Sequence, residues 1–412
     1  MTSAACRFCT APLSLSLADL GMSPPSNSYV KAEDQNRMER FYPLHAWVCE
    51  KCFLVQLEEF ETPEHIFSDD YAYFSSFSDS WLAHSKAYVE MMTKRFGLGK
   101  QSFVVEIASN DGYLLQYFVQ QGVPVLGIEP AANCAAAAEK KGVPSLVKFF
   151  GTRTAAELVA QDRKADLILG NNVLAHVPDL NDFVAGIALA LKPGGVVTME
   201  FPHLLRLLLE NQFDTIYHEH FSYISFVVAE RVFAKHGLTL FDVDEIPTHG
   251  GSLRIYARHA ANTKLAVTEK VSDLRARERA AGLERAETYQ SFAEQVRATK
   301  RSLLKFLIQA KEQGKRVVGY GAPAKGNTLL NYCGVRSDLL EFTVDRSPHK
   351  QGRFLPGVHI PILAPEAIAQ ARPDYVLILP WNLKDEIVAQ LAGIRSWGGR
   401  FVVPIPETRV LD

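Results

Sequence analysis

The most reactive side chains of this sequence cluster between residues 214 and 223, where two acids, two histidines and two tyrosines lie close together. His218, Glu219 and His220 could bind a metal ion, but on a strand the two histidines would share one face and Glu219 would point to the other. Imidazole titrates near neutral pH, so one histidine can instead take a proton while Tyr217 orients or donates. We favour this acid–base interpretation, with structural hydrogen bonding as the remaining alternative.

A second pattern consists of two CxxC pairs near the N-terminus. Two thiolates three residues apart reach one ion, and two such pairs complete the tetrahedral four-thiolate shell that suits zinc. The pattern predicts a structural zinc ion held by four residues: Cys6, Cys9, Cys49 and Cys52. Four unliganded thiols or one redox-active pair are the alternatives. Only scattered Lys and Arg accompany the cysteines, which disfavours a nucleic-acid role for this segment.

Candidate cofactor ligands lie where short apolar strands end. A glycine turn follows strand 103–107, a carboxylate ends strand 125–129, and two asparagines follow strand 166–169. Ligands of parallel sheets bind at the carboxyl ends of the strands, so we assign seven residues to one cofactor site: Glu106, Ala108, Asn110, Gly112, Glu129, Asn171 and Asn172. The carboxylate Glu129 is placed to accept hydrogen bonds from a ribose diol. Two glycines of GxGxxG are missing, which disfavours a nicotinamide cofactor.

This succession resembles the first two motifs of class I methyltransferases that use S-adenosylmethionine (SAM). In that superfamily the acid-rich glycine turn holds the methionine part of SAM and the second acid holds the ribose. A Leu-Lys-Pro-Gly-Gly turn at 191–195 also recurs there. His203 and His249 are further candidates, for which structural hydrogen bonding and function are equally good interpretations.

The elements that position these residues divide the chain into three parts. Residues 1–68 form the zinc-binding segment, which is too small to be stable through apolar burial alone. Residues 69–260 alternate strand and helix. Residues 261–412 begin with an amphipathic helical stretch over 264–313 and continue as a second α/β unit. The expected fold class is α/β: a class I SAM-methyltransferase (Rossmann-like) core with a small N-terminal zinc-binding domain and a C-terminal Rossmann-like α/β domain.

The C-terminal part contains a strand, a glycine turn and a helix start at 316–327. A helix N-terminus with glycines and a lysine suits an anionic phosphate group, so Lys325 is a candidate phosphate ligand. Lys350, in the basic loop 345–350, is a second candidate. An ordinary doubly wound domain without a ligand is the alternative.

Along essentially its full length the chain resembles the sugar C-methyltransferases that act on nucleotide-linked 4-keto-deoxysugars. The resemblance rests on the four-cysteine head and on four further stretches, at residues 105–112, 170–177, 217–220 and 319–326. It implies SAM as methyl donor and a domain-bridging site for a nucleotide-linked sugar.

The resemblance also implies roles for individual residues. His220 looks like the base that removes the proton from C3, with Tyr217 and Glu219 as its neighbours in proton handling. His176 looks like a group near the developing enolate oxygen. Tyr71 looks like an active-site tyrosine, although Tyr73, two residues on, could instead face the substrate.

We therefore expect methyl transfer from SAM to a carbon, C3, of a nucleotide-linked 4-keto-6-deoxysugar, with zinc in a structural role. O- or N-methylation of such a sugar and a non-catalytic zinc- and nucleotide-binding module are the alternatives. The net charge of -2 gives no global attraction to nucleic acid or to an anionic membrane. Neither a membrane span nor a signal peptide is visible, so a cytoplasmic location is expected. The oligomeric state stays open, a monomer included.

Overall fold

The computed structural model describes residues 4–62 and 74–411, in which three sheets are surrounded by helices. The strands in chain order are β1 (Leu15–Ser23), β2 (Tyr42–Val48), β3 (Val55–Leu57), β4 (Val104–Ile107), β5 (Val125–Ile128), β6 (Ser145–Leu146), β7 (Ala165–Asn171), β8 (Leu191–Pro202), β9 (Ser222–Tyr223), β10 (Leu238–Ile246), β11 (Ser252–His259), β12 (Val317–Tyr320), β13 (Thr343–Val344), β14 (Ile362–Leu363), β15 (Tyr375–Ile378), β16 (Arg400–Val403) and β17 (Arg409–Leu411).

The α-helices are α1 (Asp79–Phe96), α2 (Leu115–Gln120), α3 (Ala132–Lys140), α4 (Thr152–Ala160), α5 (Leu180–Ala190), α6 (Leu204–Leu209), α7 (Phe226–Lys235), α8 (Glu269–Ala280), α9 (Ala286–Gln290), α10 (Phe292–Glu312), α11 (Ala324–Cys333), α12 (Ala367–Ala371) and α13 (Lys384–Gln390). Short 3₁₀ turns occupy Ala32–Asp34, Ser75–Phe77, Leu174–His176, Phe213–Thr215, Thr248–Gly250, Trp381–Leu383 and Ala392–Trp397.

The central sheet has seven strands in the order β10–β11–β8–β7–β4–β5–β6, and in the described chain β11 alone runs opposite to the others. Every residue of β4 and of β5 is buried, as expected for strands covered by helices on both faces. The predicted parallel core and the α/β fold class are confirmed. The predicted turn at 191–195 lies inside β8: Leu191 pairs with Ala165 and Val196 with Leu167, so residues 192–195 bulge out of the strand pairing.

The C-terminal sheet has six strands in the order β14–β13–β12–β15–β16–β17, parallel except for β17. The predicted helical stretch at 264–313 is divided into α8, α9 and α10. The first break lies at Gly282, whose φ of +82° is a left-handed conformation that glycine adopts without strain.

The N-terminal sheet is antiparallel in the order β1–β2–β3–β9, so its last strand comes from the middle of the chain. The two CxxC segments belong to the same apolar cluster as the central sheet, which includes Cys6 and Cys49 together with Ile168 and Met199. Strands β1 to β3 share a different cluster with helices α10 and α11. The N-terminal segment therefore packs against both other parts of the chain.

No helix in the described ranges combines the length and the apolar character needed to cross a lipid bilayer.

Candidate functional site: a cavity between the three sheets

A cavity of about 550 Å³ opens at the carboxyl ends of β4, β5 and β7. Its walls come from all three parts of the chain, and they include most of the residues singled out from the sequence. The predicted site residues that line it are Ala108, Asn110, Glu129, Asn171, Asn172, His176, Tyr217, Glu219, His220, Lys325 and Lys350. The structure thus brings together eleven positions that are up to 242 residues apart in the chain.

The cofactor side of the cavity is built by the turn after β4. The backbone at Ala108 and Asn110 has φ values of +56° and +49°, which turns the chain sharply around the strand end. Glu129 fixes this turn: its Oε2 accepts from the backbone N of Asn110 and its Oε1 accepts from that of Ala131, both at 2.9 Å. Burial raises the pKa of Glu129. The carboxylate is therefore held rigidly at the cavity wall.

Asn171 shows that this side of the cavity suits a polar ligand. The residue is 6% exposed, yet neither its amide nitrogen nor its amide oxygen has a hydrogen-bond partner. A buried amide without partners is costly, so such groups point to a ligand that supplies the missing bonds. A donor and an acceptor at Asn171, in the wall of the same cavity as the carboxylate of Glu129, fit the ribose and amino-acid groups of SAM.

Two of the predicted cofactor ligands lie outside the cavity lining. Glu106 is fully buried beneath the turn, where desolvation raises its pKa well above the ordinary value. Gly112 has a φ of +74° and lies so close to α3 that an added Cβ would be 3.1 Å from the side chain of Ala138. Both residues pack on the side of the turn that faces away from the cavity. A direct contact of either residue with the cofactor stays a prediction.

The histidine predicted to be the base is oriented from both ring nitrogens. Nδ1 of His220 lies 3.0 Å from the carbonyl oxygen of Thr215, to which it must donate. Nε2 lies 2.7 Å from the Tyr217 hydroxyl and is the acceptor of that pair. The surroundings thus select a neutral imidazole with its lone pair on Nε2, which is the form a general base requires.

His176 lies at the edge of the His220 ring, with the ring centroids 4.6 Å apart. Its Nδ1 is 2.7 Å from the backbone oxygen of Glu219. Burial lowers the pKa of His176 to about 4, and burial together with the neighbouring His176 lowers the pKa of His220 well below its ordinary value. Both imidazoles are neutral at pH 7.

The three other histidines singled out from the sequence have different surroundings. His218 faces away from the cavity toward the carbonyl oxygen of Pro43, so His218 and His220 do not converge on a metal ion. His203 is buried against Glu278, with 2.6 Å between Nε2 and Oε1. His249 lines the cavity, and its Nε2 lies 2.8 Å from the Asn172 amide nitrogen.

The C-terminal wall carries two lysines. Lys325, in the first turn of α11, donates to the side-chain oxygen of Asn382 at 2.7 Å and lies over the ring of Trp381. Lys350 donates to the carbonyl oxygen of Ala322 at 3.0 Å. Both lysines border the same cavity as His220, and Lys325 lies at the N-terminus of a helix. Tyr71 and Tyr73, predicted to lie in the active site, fall outside the described residues.

The four cysteines form a separate metal centre. Their sulfur atoms all lie within 4.8 Å of one another, with Cys6 3.6 Å from Cys52 and Cys9 3.4 Å from Cys49. Zinc–sulfur bonds of ~2.3 Å in a tetrahedron put sulfur atoms about 3.8 Å apart, so the set fits zinc. All four positions of such a shell come from the protein, which leaves no open position for chemistry. Within the described residues this is the one cluster of metal-ligating side chains.

Among the residues of the cavity wall that sequence reasoning missed is a side chain that contacts the predicted catalytic Glu219. Asn27, from the loop that follows β1, donates its amide to the Glu219 carboxylate. It lies in a turn-rich run of prolines and serines, a composition typical of connecting loops, and nothing in its local pattern points to the distant Glu219.

Comparisons with known proteins give matches to three protein families. The profile of a family described as "C-methyltransferase C-terminal domain" matches residues 247–406, one described as "Methyltransferase domain" matches residues 83–243, and one described as "Putative zinc binding domain" matches residues 6–67. The chain is 38% identical over 410 residues to C-methyltransferase NovU of Streptomyces niveus, an alignment that covers 99% of this chain and 96% of that protein.

More distant similarities are confined to part of the chain. A ubiquinone biosynthesis O-methyltransferase of Rhodopseudomonas palustris (strain BisA53) is 29% identical over 96 residues, which are 23% of this chain and 38% of that protein. Among solved structures, the PH0226 protein of Pyrococcus horikoshii has a TM-score of 0.38 at 16% identity, covering 48% of this chain and 99% of that one. Magnesium protoporphyrin IX methyltransferase of Synechocystis, solved with bound SAH, has a TM-score of 0.35 at 14% identity, covering 43% and 82% of the two chains. Both TM-scores are too low for these structural similarities to indicate a function for this chain.

Proposed function

The chain belongs to the C-methyltransferase family that includes NovU, and on that premise we propose that it methylates C3 of a nucleotide-linked 4-keto-6-deoxysugar, with His220 as the base. Its family identifies it as a SAM-dependent C-methyltransferase with a zinc-binding N-terminal segment, which confirms the resemblance deduced from the sequence. Membership in an enzyme family disfavours the alternative of a non-catalytic binding module.

The single observation that carries the proposal is the environment of His220. Its Nε2 lone pair is turned to the Tyr217 hydroxyl, 2.7 Å away, in a cavity that also contains Glu129 and Asn171 of the cofactor side. A carbon next to a ketone can be deprotonated because the charge spreads onto the carbonyl oxygen. A neutral buried imidazole at this place suits the removal of that proton.

The remaining groups support the same chemistry. His176, Tyr217 and Glu219 surround the base and can donate to or accept from the keto-sugar while its charge shifts to oxygen. Bound SAM supplies an electrophilic sulfonium methyl group. The contribution of the chain is to hold the nucleophilic carbon in line with that group and to exclude water.

Lys325 and Lys350 are proposed to bind the diphosphate of the nucleotide. Both border the cavity, and Lys325 lies in the first turn of α11, where the backbone amides of a helix attract anions. Burial lowers the pKa of Lys325, although the nearby Asp214 acts in the opposite direction. The diphosphate would bring two further negative charges to the part of the cavity that Lys325 and Lys350 border.

The test is to incubate the holoenzyme with methyl-¹³C-labelled SAM and a panel of nucleotide-linked 4-keto-6-deoxysugars. We expect a product whose labelled methyl group correlates by NMR with a sugar carbon at C3. A methyl resonance attached to oxygen or nitrogen would support the alternative O- or N-methylation and would contradict this proposal, and so would turnover of none of the sugars.

A further inference from the structure

The loop of residues 24–30 extends from β1 of the N-terminal sheet to the catalytic stretch. Within it, Asn27 donates from Nδ2 to both carboxylate oxygens of Glu219, at 2.7 Å to Oε1 and 2.9 Å to Oε2. Asn27 and Glu219 both line the cavity. The metal-binding part of the chain thus contacts a predicted catalytic carboxylate directly.

The orientation of the Asn27 amide is fixed from its other side. The Tyr29 hydroxyl lies 3.2 Å from Oδ1 of Asn27 and 2.6 Å from the carbonyl oxygen of Ala322, and its single hydrogen is shared between these two acceptors. A rotated amide would place its oxygen against the Glu219 carboxylate, where two acceptors repel each other. Asn27 can therefore present only its nitrogen to Glu219.

The loop itself is anchored to the C-terminal part of the chain. Val30 and Phe354 exchange two backbone hydrogen bonds, of 3.0 and 2.8 Å. The Asn327 side chain lies 3.5 Å from the carbonyl oxygen of Ser26, on the opposite side of Asn27 in the loop. Because both flanks of Asn27 are held, its position is set by the packing of the N-terminal part against the C-terminal part.

From these contacts we infer that Asn27 is a positioning residue for Glu219, so that the metal-binding segment completes the active site and does more than stabilise the fold. The inference deepens the proposed function, and it rests on that function only for the consequence on turnover. Asn27 fixes the direction of the carboxylate and supplies a neutral donor to both oxygens. Glu219 itself lines the cavity.

The charged and titratable groups around Glu219 determine what Asn27 changes. Lys350 faces it from the C-terminal part and Tyr29 from the N-terminal loop, while His176 is bonded to its backbone oxygen and His220 follows it in sequence. Burial raises the pKa of Glu219 to about 7, whereas the Asn27 hydrogen bond and the Lys350 charge lower it. Loss of the Asn27 donor removes one of the two effects that lower the pKa of Glu219, so the carboxyl is protonated more readily.

The experiment compares Asn27→Leu with wild type in the full-length, zinc-loaded protein. Carboxyl-¹³C-labelled glutamate gives an NMR titration, in which the Glu219 resonance is the one missing from Glu219→Gln. We expect Asn27→Leu to move the Glu219 midpoint upward by about one pH unit, as loss of a hydrogen bond to a charged group predicts. We also expect kcat to fall at least about tenfold, with zinc content and the Kd for S-adenosylhomocysteine unchanged.

Two further variants separate positioning from a general disturbance of the loop. Ser28→Ala removes an exposed hydroxyl that donates to the carbonyl oxygen of Pro25 and should leave the Glu219 titration unchanged. Tyr29→Phe frees the Asn27 amide to rotate and should shift the midpoint in the same direction as Asn27→Leu.

An unchanged Glu219 midpoint in Asn27→Leu would overturn the inference. The titration needs no substrate, so it decides the role of Asn27 even if no nucleotide sugar is turned over by the wild type and the proposed function fails.

Discussion

At the scale of single residues, burial determines which groups can act as bases. His220 and His176 are enclosed, and desolvation keeps both imidazoles neutral at pH 7. The sequence alone left acid–base chemistry, metal binding and structural bonding open for the cluster at 214–223. The opposite directions of His218 and His220 disfavour the metal interpretation, because two ligands of one ion must converge.

The buried amide of Asn171 predicts an effect of its removal on cofactor affinity. Its amide is buried without partners, so a bound ligand gains hydrogen bonds there that Asn171→Ala cannot make. We expect the Kd for S-adenosylhomocysteine, measured by titration calorimetry, to rise about tenfold, which corresponds to roughly one hydrogen bond. Asn262→Ala is the matched control, because the Asn262 amide oxygen accepts from the backbone nitrogen of Lys264 and the residue does not line the cavity. Equal affinity of Asn171→Ala and wild type would show that the amide does not face the ligand.

At the scale of elements, the strands of the central sheet were predictable because their apolar runs are continuous and end in glycine or asparagine turns. The pairing of β9 with β3 was not, since β9 consists of only Ser222 and Tyr223 and has no pattern of its own. This short pairing joins the metal-binding segment to the chain two residues after His220. The metal centre and the predicted base are thus connected through one sheet.

Removal of zinc should therefore affect catalysis as well as stability. We expect Cys49→Ser, or treatment with a strong chelator, to lower the melting temperature by several degrees and to reduce kcat more than about tenfold. Zinc content measured by atomic emission and melting followed by circular dichroism check this. Cys134→Ser is the control, because Cys134 lies in α3 away from the metal centre. A zinc-free protein with wild-type melting and turnover would refute the link.

At the scale of the whole molecule, the candidate active site lies where three parts of one chain meet. Motifs were enough to deduce the order of these parts, which runs from the metal-binding segment to the glycine turn after β12. Their packing could not, because the contact of Asn27 with Glu219 spans 192 residues and depends on how two sheets are placed around a third. The fold was thus more predictable than the site: local patterns specify strands and turns, whereas the neighbours of Glu219 are set by tertiary contacts.

We propose that His220 removes the proton from C3 inside this shared cavity. The most direct test is exchange of the C3 hydrogen of the keto-sugar with deuterated solvent, followed by NMR in the presence of S-adenosylhomocysteine, so that no methyl group can be transferred. We expect wild type and the control His218→Asn to exchange this hydrogen, and His220→Asn to lose exchange by at least about a hundredfold. Exchange by His220→Asn at the wild-type rate would contradict the account.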